Sequence, residues 1–139
     1  MGNLQDIRHG RHCVSALNVH LVFVTKYRRR VLDAAALDWL KGHFAKVCER
    51  MGANLLASDG EDDHVHLLVE YPPKLSVTAL VNTLKGTSSR LLRKEMPHVT
   101  NRYWKGVLWT PSYFAASAGG APLAVVKRYV EEQRGSSSA

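Results

Sequence analysis

The chain has 139 residues, which is enough for one domain and too few for separate cofactor and substrate domains. Hydrophobic residues make up 45% of it and charged residues 22%, and these ordinary globular values exclude a disordered tail or a collagen-like chain. The 19 lysines and arginines outnumber the 12 aspartates and glutamates, so the formal net charge is +7 at pH 7. An excess of this sign favours a polyanionic partner, and nucleic acid is the first candidate.

Neither secretion nor a membrane is indicated by the sequence. Cys13 and Cys48 lie far apart without CxxC spacing, so they predict neither a disulfide framework nor a cysteine zinc site. Residues 1–8 lack an apolar signal core, and we expect a cytoplasmic protein. Residues 106–126 carry no charge, but prolines and glycines interrupt them. We interpret this stretch as a strand and a hinge, and we expect no membrane partner.

The first third of the chain predicts a strand followed by a helix. Alternating residues over 15–25, rich in β-branched side chains, are typical of a central strand. Four cations and a tyrosine follow at residues 26–30. Asp33 can cap the next helix, and Gly52 ends it. The apolar face of this helix carries Leu37, Leu40, Phe44, Val47 and Met51.

The middle of the chain predicts a hairpin. Residues 53–58 and 64–71 each favour a strand, and Asp59-Gly60 is the turn signal between them.

A second helix, a last strand and a closing helix complete the pattern. Ser76 can cap the second helix and Pro97 stops it. Its apolar side carries Val77, Leu80, Val81, Leu84, Leu91 and Leu92, and its polar side carries Asn82, Lys85, Ser89 and Arg93. A strand around residues 107–116 and a glycine pair precede the closing helix, residues 121–134.

This order, βαββαβ plus a C-terminal helix, predicts an α+β fold. The split βαβ arrangement is typical of a ferredoxin-like or RRM-like antiparallel sheet of four strands with helices on one face. We expect a single domain over residues 1–139, with an N-terminal extension at 1–13 and a frayed tail at 135–139.

The sharpest chemical feature is the His64-Val65-His66 triplet. Side chains two apart in a strand point to the same face, so both imidazoles can reach one point and hold a divalent metal. The alternative is that the histidines merely occupy a polar sheet face. The acidic residues 61–63 could accept hydrogen bonds from the imidazole N–H groups, or they could simply be solvated.

Tyr129 and Gln133 form a second constellation in the closing helix. Their spacing of four residues places a hydroxyl and an amide on one helical face. Tyrosine is a possible covalent nucleophile, and the Gln133 carbonyl oxygen could complete a metal site. The alternative is a half-buried tyrosine that only packs.

Basic and aromatic residues form the third constellation. The cations are Lys26, Arg28, Arg29, Arg30, Lys85, Arg90, Arg93 and Lys94, and the rings are Tyr27, Tyr103, Trp104 and Trp109. Together they offer phosphate contacts and surfaces on which unpaired bases could stack. Solvated lysines and core tryptophans are the alternative.

Four segments of the sequence resemble one known family. They are Val24-Thr25-Lys26-Tyr27-Arg28-Arg29, Asp63-His64-Val65-His66-Leu67-Leu68, Leu108-Trp109-Thr110-Pro111-Ser112-Tyr113-Phe114 with Gly119-Gly120, and Val126-Lys127-Arg128-Tyr129-Val130-Glu131-Glu132-Gln133. In this order they resemble TnpA, the single-tyrosine HUH transposases of minimal bacterial and archaeal insertion sequences, also called IS200-like. The similarity runs from about Ser15 to Gln133.

The resemblance implies a fold, a reaction and its residues. It implies a ferredoxin-like sheet in which His64 and His66 bind Mg²⁺ or Mn²⁺ and Gln133 is the third ligand. It implies that Tyr129 is the nucleophile, which forms a 5′-phosphotyrosine and leaves a free 3′-OH. Because the phosphodiester is exchanged and not hydrolysed, a second 3′-OH can rejoin the DNA without ATP.

The resemblance also implies partners. The implied substrate is single-stranded DNA whose element ends fold into hairpins, and the implied assembly is a homodimer that shares its active sites by exchanging tyrosine helices next to the Gly119-Gly120 hinge. The residues suited to grip the hairpins are Lys26, Arg28, Arg29, Arg30, Lys85, Ser89 and Arg93. Three alternatives stay open: a domesticated HUH protein acting on repeated chromosomal hairpins, an inactive single-strand-binding module, and a monomer.

Overall fold

The secondary structure follows the predicted order closely. A computed structural model of the chain describes residues 8–9, 14–15, 17–100, 107–117 and 128–133. Its elements are β1 (Arg8–His9), β2 (Val14–Ser15), β3 (Asn18–Val24), a 3₁₀ turn (Lys26–Arg28), α1 (Ala34–Arg50), β4 (Asn54–Glu61), β5 (His64–Glu70), α2 (Val77–Glu95), α3 (Pro97–Thr100), β6 (Phe114–Ser117) and the helical residues 128–133, here called α4. The predicted Gly119-Gly120 hinge and the tail at 135–139 lie outside the described residues.

The main sheet has four antiparallel strands in the order β4-β5-β3-β6. This is the strand order that a split βαβ arrangement produces, so the predicted α+β ferredoxin-like fold is confirmed. A separate two-stranded sheet pairs β1 with β2. Among the described residues, no helix is both long and apolar enough to cross a membrane.

Alternation along β3 and β5 divides the sheet into two different faces. Odd-numbered residues of both strands point into the core beneath α1 and α2. Even-numbered residues, which include both histidines of the triplet, lie on the opposite face. The core contains Val19, Leu21, Phe23, Val65, Leu67 and Val69 from the sheet and Leu40, Phe44, Leu80, Leu84 and Leu92 from the helices.

Both predicted helix caps are present. The Ala36 N–H donates to Asp33 Oδ1 at 2.8 Å, and the Ala79 N–H donates to Ser76 Oγ at 3.0 Å. Each carboxylate or hydroxyl satisfies one of the backbone donors that the first turn of a helix leaves unpaired. Gly52, with φ of +80°, follows α1 in the left-handed conformation that glycine tolerates best.

The predicted turn of the hairpin was wrong by three residues. Strand β4 continues through Asp59 and Gly60, and the chain turns at Asp62-Asp63 instead. Gly60 is needed for close approach: a Cβ built there would lie 2.5 Å from the His64 carbonyl oxygen. The glycine therefore marks a tight strand contact and not a turn.

The predicted strand over residues 107–116 was also misplaced. Strand β6 covers Phe114–Ser117, while Trp109 makes an isolated bridge to Thr25. The chain bends at Pro111, which has no N–H to donate to a ladder. The pairing with β3 is therefore interrupted between Thr110, whose N–H donates to the Val24 carbonyl oxygen at 2.8 Å, and the start of β6 at Phe114.

Gly60→Ala should destabilise the fold by about 1–3 kcal/mol, because its methyl group would overpack the hairpin. The matched control is Gly42→Ala in α1, where a Cβ meets nothing within 4 Å. Alanine is the better helix former, so Gly42→Ala should stabilise by up to about 1 kcal/mol. Urea unfolding of both variants measures the difference. Equal stabilities would contradict the close approach at Gly60.

Candidate active site

The two histidines of the triplet meet at one point on the sheet face opposite α1 and α2. His64 lies across from Val24 and His66 across from Val22 in the β3–β5 register. The two Nε2 atoms are 3.1 Å apart. His64 is 7% exposed and His66 is half-buried, so the pair forms the floor of a site and not a solvated patch.

This spacing fits two ligands of one metal ion. Two nitrogens bound about 2.05 Å from an ion, in adjacent octahedral or tetrahedral positions, lie about 2.9–3.4 Å apart. Within the described ranges, no cluster of three or more His, Cys, Asp and Glu side chains is arranged to hold a metal.

Asp63 fixes the orientation of His64. Its Oδ1 accepts a hydrogen bond from His64 Nδ1 at 2.7 Å, and its Oδ2 accepts one from Arg28 Nε at 2.6 Å. Burial raises the pKa of Asp63, but the hydrogen bonds and charges of His64 and Arg28 outweigh it and leave the pKa below its usual value. Because an ionised carboxylate only accepts, Nδ1 carries the proton of this hydrogen bond, and Nε2 is the ring nitrogen directed toward His66.

A third histidine near the site was missed by sequence reasoning. The rings of His20 and His66 are 6.0 Å apart. Burial, together with the charges of His64 and His20, lowers the pKa of His66, which favours the neutral form that binds metals. The sequence did contain a signal for it. His20 and Val22 are two residues apart in β3 and share a sheet face, and Val22 pairs with His66.

Tyr129 and Gln133 converge on Ser112. The Tyr129 hydroxyl lies 2.9 Å from Ser112 Oγ, and Ser112 Oγ donates to Gln133 Oε1 at 3.2 Å. With its own proton directed at Gln133, Ser112 accepts the hydrogen bond from Tyr129. Ser112 was not predicted as a site residue, although it stands in the 108–114 segment that carries the family resemblance.

Helix α4 rests on the histidine-bearing face of the sheet. Val130 packs on Val22 and Val24, the residues directly opposite the two histidines, and the Tyr129 ring lies 5.7 Å from that of Phe114. Burial raises the pKa of Tyr129, although hydrogen bonds with Ser112 and Thr110 partly counter it. The phenol is therefore protonated at pH 7.

Lys85, predicted to contact DNA, holds the Ser112 loop. Its Nζ donates to the carbonyl oxygens of Thr110, Pro111 and Ser112 at 2.6, 3.2 and 3.0 Å. Burial lowers its pKa to about 8, so it is mostly charged at pH 7. The three acceptors match the three donors of an ammonium group. A DNA contact by Lys85 stays a prediction, and its visible role is to support the loop.

The other predicted DNA-binding residues divide between surface and interior. In the 26–30 segment, Tyr27, Arg29 and Arg30 are exposed, whereas Lys26 and Arg28 are half-buried. The Tyr27 ring is 45% exposed, and Lys26 Nζ lies 5.4 Å from its centroid. On α2, Arg93 is exposed and Ser89 is half-buried.

The sequence is similar to a family model and to two named transposases. A family model described as "Transposase IS200 like" matches residues 13–133. The ISDra2 transposase TnpA of Deinococcus radiodurans is 31% identical over 128 residues, which cover 92% of this chain and 91% of the relative. The transposase for insertion sequence element IS200 of Salmonella typhimurium is 29% identical, covering 96% of this chain and 85% of its own length.

Two solved structures resemble the chain. A crystal structure of a candidate transposase from Deinococcus radiodurans has a TM-score of 0.81 at 33% identity and covers 91% of this chain and 97% of its own. A tyrosine transposase bound to a REP hairpin has a TM-score of 0.56 at 13% identity and covers 89% of this chain and 68% of its own, so it supports the fold alone. On the family match and the relatives of similar length, this chain belongs to the IS200-like transposase family.

Proposed function

We propose that this transposase cleaves and rejoins single-stranded DNA through a covalent bond to Tyr129, with a divalent metal held by His64, His66 and Gln133. The observation that carries the proposal is the convergence of two Nε2 atoms, 3.1 Å apart, on the sheet face where α4 packs. A bound Mg²⁺ or Mn²⁺ would stabilise negative charge on a non-bridging oxygen of the scissile phosphate.

The chain's own residues supply the rest of the chemistry. The Tyr129 oxygen attacks phosphorus in line as the 3′ oxygen leaves, so one P–O bond forms for each one broken. The product is a 5′-phosphotyrosine and a free 3′-OH, and attack by another 3′-OH reverses the step. Since the Tyr129 phenol is neutral at pH 7, its proton must leave, and Ser112 Oγ accepts its hydrogen bond at 2.9 Å.

Hairpin-forming single strands are the substrate that we propose. One relative in fold is bound to a REP hairpin, and the net charge of +7 suits a nucleic acid. The exposed Tyr27 ring, with Lys26 and Arg29 beside it, offers a surface on which an unpaired base could stack.

The direct test is nicking of an end-labelled hairpin oligonucleotide in the presence of Mn²⁺. A labelled product together with an SDS-stable protein–DNA adduct would support the proposal. An inactive single-strand-binding module would bind the same oligonucleotide and leave it intact. A domesticated relative would nick chromosomal repeat hairpins in preference to the hairpins that flank its own gene.

Arg30→Gln should weaken hairpin binding and flatten its salt dependence. The Arg30 side chain is 77% exposed, so it is available to a phosphate, and each lost single-strand contact changes the log–log slope by roughly 0.7. Binding titrations between low and physiological salt give the slope. Arg50→Gln, at the exposed end of α1, is the control and should leave the slope unchanged. Equal slopes for both variants would show that Arg30 does not contact a DNA phosphate.

We further propose a homodimer in which active sites are shared between subunits. Among the strands that the structure describes, β6 is an edge of the main sheet, and we propose that its outer side pairs with a second copy. In the single chain, Tyr129 and Val130 of α4 pack against Val22 and Val24 of the same chain. If two subunits exchanged their α4 helices, the same two residues would pack against Val22 and Val24 of the other subunit.

Mixing two inactive variants tests this exchange. His66→Ala and Tyr129→Phe proteins, unfolded and refolded together, should regain nicking because each mixed dimer then contains one complete site. The DNA adduct should lie on the His66→Ala chain, which can be resolved by a tag of different mass. No recovery from verified mixed dimers would mean that each subunit builds its own site.

A further inference from the structure

The segment between β3 and α1 contains an unusual backbone. Tyr27 has φ of +59° and Arg28 has φ of +52°, and within the described ranges these are the only non-glycine residues with positive φ. Left-handed conformations are unfavourable for residues with a Cβ, and two in succession require support from the surrounding structure.

Thr25 supplies that support from the end of β3. Its hydroxyl contacts the carbonyl oxygens of Arg29 at 2.7 Å and Asp63 at 3.1 Å. Its backbone N–H also donates to the Asp63 carbonyl at 2.9 Å. The strained turn is therefore tied to the hairpin turn that precedes His64.

At this backbone the Arg28 side chain points inward, whereas the adjacent residues Tyr27 and Arg29 are exposed. The Arg28 side chain is only 19% exposed. Its Nε donates to Asp63 Oδ2 at 2.6 Å, and its Nη1 lies 3.5 Å from Glu131 Oε1 on α4. One guanidinium thus contacts both the residue that orients His64 and the helix that carries Tyr129.

We propose that Arg28 is a positioning residue that couples the two halves of the active site, and not a DNA phosphate contact. Through Asp63 it holds the His64 ring with Nε2 toward His66, and through Glu131 it holds α4 on Val22 and Val24, the residues paired with the histidines. This inference rests on the proposed function, since the site that Arg28 organises is the one assigned there.

The geometry requires arginine and not merely a positive charge. A guanidinium presents several N–H donors in a fixed plane and can serve two carboxylates in two directions, whereas a lysine ammonium is a single flexible point charge. Arg28→Lys keeps the charge that a phosphate contact would need, so this variant separates the two roles. Arg50→Lys, on an exposed part of α1, is its matched control.

The first measurement is ¹⁵N NMR of the histidine rings in metal-free protein. Wild-type protein and Arg50→Lys should show His64 protonated at Nδ1. Asp63→Ala should lose this preference and Arg28→Lys should weaken it, whereas Asp62→Ala, which removes an exposed carboxylate in the same turn, should keep it. An unchanged His64 tautomer in both Arg28→Lys and Asp63→Ala would overturn the proposal.

The second measurement is Mn²⁺ affinity together with hairpin affinity. Loss of a partner that orients a ligand lowers metal affinity by about 10–100-fold, so Arg28→Lys and Asp63→Ala should both bind Mn²⁺ more weakly at unchanged hairpin affinity. A changed salt slope of hairpin binding in Arg28→Lys, with Mn²⁺ affinity intact, would instead make Arg28 a phosphate contact and overturn the proposal.

Glu131→Gln tests the second half of the coupling. The Glu131 side chain is 62% exposed, so this variant should fold even if Arg28→Lys does not. This variant should nick more slowly than wild type, with the His64 tautomer and the Mn²⁺ affinity unchanged. Unchanged nicking would show that the contact between Arg28 and Glu131 does not position α4. Because the tautomer is read without metal or DNA, failure of wild-type protein to nick would refute the proposed function separately from this inference.

Discussion

Tyr129→Phe is expected to abolish the covalent protein–DNA adduct and to lower nicking by about 10⁴-fold or more, because it removes the attacking oxygen itself. Phenylalanine retains the ring that packs beside Phe114, so α4 should stay on the sheet. Gel electrophoresis in SDS with labelled DNA measures the adduct, and hairpin affinity should be unchanged.

Tyr71→Phe is the control for this experiment. It removes the same hydroxyl from a partly buried tyrosine that packs against the core just after β5, at the end opposite to His64. Its adduct yield should match that of the wild type. If Tyr129→Phe still formed an adduct that survives SDS, another tyrosine would be the nucleophile.

His64→Ala and His66→Ala are each expected to lower nicking by more than about 100-fold while hairpin binding survives. Each variant removes one of the two Nε2 atoms that lie 3.1 Å apart. The cations proposed to bind DNA are lysines and arginines and not these histidines. The two variants should therefore lower the rate of nicking without lowering the affinity for the hairpin. Nicking rates with Mn²⁺ and binding titrations without it measure the two effects.

His98→Ala is the matched control for the histidine variants. His98 is exposed and contacts Asp33 at the start of α1, so its loss should leave nicking intact. Wild-type nicking should also stop in EDTA and return when Mn²⁺ is restored. Undiminished nicking in EDTA would contradict a metal role for both histidines.

Local patterns in the sequence were enough for the fold. Alternation along β3 and β5, together with caps at Asp33 and Ser76, predicted the elements because each pattern acts within one strand or one helical turn. The same two-residue period predicted that His64 and His66 share a face, which the register confirms.

The misplaced turn had a tertiary cause. Asp59-Gly60 is an ordinary turn signal, but Gly60 serves the close approach of β4 to the His64 backbone. That contact joins two strands whose register is set by the whole sheet, so no local rule predicts it.

Lys85 and Arg28 make contacts within the protein that the sequence did not predict. Their charge predicted DNA contacts, which stay untested, and the structure adds that Lys85 donates to three carbonyls of the Ser112 loop and Arg28 to Asp63. Arg28 lies on a left-handed backbone that Thr25 ties to the Asp63 carbonyl, which belongs to the turn between β4 and β5. Composition cannot reveal such a conformation, because nothing in the local residues requires it.

Peptide mapping of the covalent adduct tests the central claim most directly. Wild-type protein would be trapped on a cleaved hairpin oligonucleotide with Mn²⁺, digested with nuclease and protease, and analysed by mass spectrometry. We predict a nucleotide joined through its 5′ phosphate to the peptide that contains Tyr129. A nucleotide on Tyr27, Tyr71, Tyr103 or Tyr113, or cleaved DNA with no protein attached, would contradict the account.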